Sequence, residues 1–152
     1  MNITLKNVKH AAFASDETQC FEATIYVDGK KAGSASNDGN GGQTYIFPLS
    51  LEVQLDAYSK TLGLEDYLES GDYVIDTLVD DWLTSRDLKR AMSNKLLFTK
   101  TGRDGVYETN KATKDFIERA RKDRSLISKI EHETVLNFLP FSEALEIYKA
   151  AS

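Results

Sequence analysis

Apolar and polar residues alternate over the first part of the chain. Ile3, Leu5 and Val8 are followed by Phe21, Ala23, Ile25 and Val27, the last four interleaved with Glu22, Thr24 and Tyr26. A period of two predicts strands over 3–13 and 20–27, because successive strand side chains point to opposite faces. Asp28-Gly29 reads as a tight hairpin turn, since both residues tolerate positive φ. The chain then returns over 30–36 as a strand of small residues at a sheet edge, where Lys30 and Lys31 would discourage pairing with other chains. A short strand over 44–47 ends at Pro48.

The period then lengthens. Leu51, Leu55, Tyr58 and Leu62 share one face of a predicted helix that Ser50 caps and Gly63 ends. Val74, Ile75, Leu78, Val79, Trp82 and Leu83 form the apolar stripe of a longer helix over 72–94, with Trp82 facing the sheet and Asp72, Asp76 and Asp80 facing water. Its acids come early and Arg86, Lys89 and Arg90 come late, the order a helix dipole favours. Residues 95–100 and 106–110 read as a second hairpin, 112–122 as an amphipathic helix, 133–138 as a buried strand, and Ser142 as the cap of a last helix. No repeat, linker or low-complexity tract interrupts the pattern. It predicts one α+β domain over 1–152, with an antiparallel sheet built from the N-terminal strands and the later hairpin and helices on one face.

The composition of the 152 residues, 41% apolar and 28% charged, is that of a globular domain with one core. No apolar run approaches the roughly 20 residues of a membrane helix. Met1 to Lys6 lack the layout of a signal segment, and the lone Cys20 cannot form an internal disulfide. A cytoplasmic protein with no membrane partner is expected.

Charge changes the picture more. The net charge is −5, but it is unevenly distributed. Between 61 and 85 stand seven acids, Glu65, Asp66, Glu69, Asp72, Asp76, Asp80 and Asp81, with no lysine or arginine. Between 86 and 124 stand twelve basic residues against six acids. A helix displaying carboxylates at regular intervals can occupy a basic groove on another protein, in a fast and salt-sensitive association.

The candidate chemistry is concentrated in one loop: Asn37, Asp38, Gly39, Asn40, Gly41, Gly42 and Gln43. Its glycines lose much backbone entropy if ordered, so the loop is either floppy or held in an unusual shape for a purpose. Its N–H groups could cradle an anion, and Asp38 and Asn40 could approach a hard cation. The spacing matches neither a phosphate-binding loop nor a calcium loop, so neither cofactor nor metal is expected. Cys20, His10 and His132 form no recognisable nucleophile–base pattern. His132-Glu133 lacks the second histidine of a zinc pair, position 136 being Leu. Asp76 and Asp80, one helical turn apart, have the spacing of an acid–base or metal-holding pair, but solvated charge is the simpler reading. No catalytic residue is assigned. The basic segment 86–124 is interrupted by Asp115, Glu118 and Asp123 and carries no aromatic platform, which weighs against nucleic acid as its partner.

Phe21 to Gly33, with its Val27-Asp28-Gly29-Lys30-Lys31-Ala32-Gly33 turn, leads into Asn37-Asp38-Gly39-x-Gly41-Gly42. Val135-Leu136-Asn137-x-Leu139-Pro140-Phe141-x-Glu143-Ala144 follows near the C-terminus. Together these resemble a group of small uncharacterised proteins encoded by bacteriophages and prophages. The resemblance covers the first 42 residues well and the last 20 loosely, and it carries no activity with it. It implies a setting: a phage accessory protein in a bacterial host, acting by binding a host protein such as a defence component. The leading expectation is a non-enzymatic binding protein using the acidic surface or the glycine-rich loop. Two alternatives stay open: a small-ligand or nucleotide-binding protein or enzyme using the loop 37–43, and nucleic-acid binding through 86–124.

Overall fold

Asp28 and Gly29 take φ of +50° and +81°, the two positive values a tight hairpin needs. They join β2 (Cys20–Val27) to β3 (Lys30–Asp38). A computed structural model describes residues 1–151, and in it these strands belong to an antiparallel sheet of order β1-β2-β3-β4, with β1 at Ile3–His10 and β4 at Tyr45–Phe47. Ile25 faces Leu5 across one ladder and Gly33 across the other. Alternation does the sorting: Phe21, Ala23, Ile25, Ala35 and Ile46 are buried, while Glu22, Ser34, Ser36, Tyr45 and Phe47 are exposed.

Two expectations need correction. β1 ends at His10, and the chain then makes a 3₁₀ turn over Ala12–Ala14 instead of continuing to residue 13. Lys30, Lys31 and Gly33 pair with β2 alone, so the lysines do stand on a stretch open to pairing; β3 is interior only over Ser34–Ser36, where β4 pairs along its far side. Its small residues serve that closeness: a Cβ at Gly33 would fall 2.0 Å from the Phe47 carbonyl oxygen. The outer strand β1 carries lysines too, Lys6 and Lys9, which flank an irregular register around Asn7 at φ +54°.

Within the chain two compact units can be distinguished, Met1–Trp82 and Leu83–Ser152. The first holds the four-stranded sheet, α1 (Leu49–Lys60), a 3₁₀ turn over Asp66–Leu68, and the first part of α2 (Gly71–Asn94). α1 starts after Pro48, and Ser50 makes no capping bond. Gly71 is required where the two helices approach, since a Cβ there would stand 2.8 Å from Leu55 Cβ, and its N–H donates to Asp56 Oδ1 at 2.6 Å. Ile75 and Val79 are fully buried, but Trp82 is only half-buried, short of the burial its place in the stripe predicts.

The second unit contains the rest of α2, a separate hairpin of β5 (Leu97–Lys100) and β6 (Arg103–Glu108), α3 (Lys114–Lys122) and α4 (Phe141–Ala150). The later hairpin is therefore a two-stranded sheet of its own and does not extend the first. Thr113 caps α3 by accepting from the Phe116 N–H; α4 begins after Pro140, without a bond from Ser142. The stretch 133–138 is not a strand: Val135 makes a single bridge to Phe98, and Leu136–Phe138 closes into a 3₁₀ turn. Asn137 explains why. Its buried carboxamide accepts from the Leu97 N–H (2.9 Å) and donates to the carbonyls of Met92 (3.0 Å) and Lys95 (2.8 Å). A side chain thus supplies the bonds that a strand neighbour would have made. The fold class is α+β, as the pattern predicts. Among the described residues no helix is long and apolar enough to cross a membrane.

Candidate functional site

The glycine loop is held from beneath by its first residue. Asn37 is buried at the end of β3, and its Oδ1 accepts from the Gly39 N–H (2.9 Å) and from Thr18 Oγ1 (2.6 Å). Its Nδ2 donates to Thr44 Oγ1 (3.3 Å) and, more weakly, towards the Gly42 carbonyl (3.5 Å). One carboxamide therefore ties both ends of the loop to each other and to the segment 15–19. The Gly39 carbonyl completes the join by accepting the N–H groups of Asp16 (3.2 Å), Glu17 (2.9 Å) and Thr18 (3.3 Å).

This geometry explains the glycines. Gly39, Gly41 and Gly42 have φ of +86°, +89° and +84°, all in the left-handed region. Gly39 is needed for space as well, because a Cβ there would fall 2.0 Å from the Ala14 carbonyl oxygen. At Gly41 the close neighbour is a carboxylate, Glu17 Oε2, 2.5 Å from where a Cβ would stand. These bonds hold the loop at both ends, and its outer side chains, Asp38, Asn40 and Gln43, are exposed.

Beside the loop the first part of α2 supplies an acidic wall. Thr44 is fully buried, and its hydroxyl donates to Asp76 Oδ1 at 2.5 Å. Asp76 is therefore turned onto the loop and not outwards to water, as helical periodicity alone predicts. Burial pushes its carboxyl above the ordinary carboxylate range, with Asp72 and Asp80 adding repulsion and the Thr44 bond opposing both. Asp80 is also pushed up, first by burial and then by Asp81. A groove of about 330 Å³ lies between this wall and the segment 15–19; it is lined by Asp16, Glu17, Asp76 and Asp80 with no lysine or arginine.

Of the seven acids singled out in the sequence, Asp76 and Asp80 reach this groove. Asp72 and Asp81 act on them electrostatically, while Glu65, Asp66 and Glu69 belong to the stretch ahead of α2. Asp16, Glu17, Thr18 and Thr44 are the contributors that sequence reasoning missed. Asp16-Glu17-Thr18 reads only as a strand connection, and nothing local says that it folds against a loop some twenty residues later.

The other candidates separate. His10 Nε2 is engaged by Gln19 Oε1 (2.7 Å) and lies 3.4 Å from Ser15 Oγ. Cys20 is half-buried, and His132 is exposed beside Glu131. Among the described residues no three histidine, cysteine or acidic side chains converge as a metal site would require. In the basic segment Arg121 donates to the Asn137 carbonyl (2.8 Å), and Arg124 donates to the carbonyls of Glu131 (3.1 Å) and Glu133 (3.4 Å). Both guanidinium groups also lie against the Phe138 ring, 5.4 and 5.2 Å from its centroid, so part of the charge serves the fold.

The chain matches no family model, no curated protein and no solved structure.

Proposed function

We propose that this chain is a small non-enzymatic protein of bacteriophage or mobile-element origin that binds a host protein, such as a defence component, through the glycine loop and its acidic flank. The observation that carries this reading is the internal bonding of the loop by Asn37 and the Gly39 carbonyl. A loop already fixed in one shape loses little conformational freedom on binding, which is the condition for a good contact surface. Carboxylates in the adjoining groove set the partner's character: it presents a basic projection to Glu17 and Asp80, with Asn40 and Gln43 contacting its rim.

The same charge acts at a distance. Met1–Trp82 holds fourteen acids against five lysines, a net of −9, so a basic partner is steered towards it before contact. The test is affinity capture from bacterial lysate with the parent protein and a Glu17→Lys, Asp80→Lys double variant. The expected result is a partner retained at low salt, released near 1 M salt where the Debye length is about 3 Å, and absent with the variant. Equal capture by parent and variant, or no partner at low salt, contradicts the proposal.

A further inference from the structure

A second cavity lies wholly within the unit Leu83–Ser152 and has the opposite character. Its volume is about 680 Å³, within the range of small-molecule sites. The floor is apolar: Leu96, Phe98 and Ile127 are buried in the core cluster beneath it, with Phe116 and Ile130 packed against that cluster. Leu126 stands at its side, 42% exposed, although its apolar side chain would be better covered.

The rim is polar and carries two lysines against one acid. Lys111 and Lys129 line the cavity, and neither is paired with a carboxylate among the described residues. The single acid of the lining, Glu108, is already held by Lys95 Nζ at 2.7 Å. Thr113, also in the lining, opens α3 and caps only the Phe116 N–H, so the positive end of a nine-residue helix borders the same mouth. An apolar body would fill the floor and a single negative head would meet the two ammonium groups.

We infer that this cavity binds an anionic amphiphile, a medium-length hydrocarbon chain ending in a carboxylate or phosphate, with the chain against Leu96, Phe98 and Leu126 and the head between Lys111 and Lys129. The site shares no residue with the glycine loop or its groove, so the inference stands independently of the proposed host-protein contact.

The experiment is calorimetric titration of the whole chain with decanoate, and with decanol as the neutral control, below the concentration at which either aggregates. The expected result is saturable one-to-one binding of decanoate, at least tenfold weaker binding of decanol, and at least tenfold loss for the double variant Lys111→Glu, Lys129→Glu. If that variant does not fold, Lys111→Gln with Lys129→Gln takes its place. Ala112→Trp, which fills the cavity from its wall, is expected to abolish binding of both ligands. Vesicles containing phosphatidylglycerol distinguish the source: decanoate binding without vesicle binding identifies a free amphiphile, and binding of both identifies a membrane lipid. Non-saturable uptake, equal affinity for decanol, an unaffected charge variant, or vesicle binding without decanoate binding overturns the inference.

Discussion

Replacing Asn37 with alanine removes the side chain on which the glycine loop depends, and the cost follows from what it leaves behind. The buried Gly39 N–H loses its acceptor at 2.9 Å, and an unsatisfied buried donor costs about 1–3 kcal/mol. The bond from Thr18 Oγ1 at 2.6 Å is lost as well, at about 0.5–1.5 kcal/mol, although that hydroxyl is only half-buried and can turn to water. The contacts to Thr44 and Gly42, at 3.3 and 3.5 Å, add little. The total is about 3 kcal/mol. With a urea dependence of about 1.5 kcal/mol per molar, the unfolding midpoint falls by about 2 M. Urea titration followed by circular dichroism and by the fluorescence of Trp82 reads this directly, and the two probes also report whether the two compact units unfold together. Asn37→Asp makes the complementary test. It keeps the acceptor but places a second carboxylate on the Thr44 hydroxyl that already serves Asp76, so its destabilisation grows as pH rises and both groups ionise. A midpoint shift below about 0.3 M for Asn37→Ala, equivalent to about 0.5 kcal/mol, refutes the claim that this side chain organises the loop.

Other substitutions separate the contributing forces. Gly39→Ala combines a left-handed backbone with a clash against the Ala14 carbonyl, whereas Gly42→Ala meets nothing within 4 Å. The second therefore costs about 1 kcal/mol and the first at least twice that, read as a difference in thermal midpoints. Asp76→Asn stabilises the fold at pH 7. The folded-state pKa of Asp76 lies above its unfolded value, so ionisation on raising the pH through that window destabilises the native state, and the variant's advantage vanishes once pH falls below 3.8; melting curves across pH check this. Asn137→Ala leaves the Leu97 N–H and two carbonyls without partners and costs about 2–4 kcal/mol, measured by urea unfolding of the parent and variant.

What was legible in the sequence depended on how local its cause was. Asp28-Gly29 was readable because a two-residue turn has few solutions, and the stripe of α2 because its period spans many residues. The strand predicted over 133–138 failed for a definite reason. Three apolar residues, Val135, Leu136 and Phe138, in so short a segment do not reveal its geometry, and Asn137 among them supplies through its side chain the bonds that a strand would have taken from a neighbour. Nothing in 30–36 announces that Tyr45–Phe47 will pair beyond its second half, Ser34–Ser36, while the half with the two lysines is open as the pattern predicts. Helical periodicity sorted Asp76 to the polar face of α2 but could not show that Thr44, 32 residues earlier, covers that flank. Within the loop one clue was available: an Asn two residues before a Gly is the pattern of a side chain that bonds its own backbone, as Asn37 does to Gly39. The ties from Thr18 and Glu17 are tertiary, and no local pattern encodes them.

Site-specific photo-crosslinking in bacterial cells tests the proposal that the exterior of the glycine loop touches a host protein. A photoreactive residue replaces Asn40 or Gln43, both exposed on the loop, and Glu146, exposed on α4, serves as the control. One discrete crosslinked host protein is expected from positions 40 and 43, none from position 146, and loss of the product when Glu17→Lys and Asp80→Lys are added. A product of equal yield from all three positions, or one from position 146 alone, contradicts it.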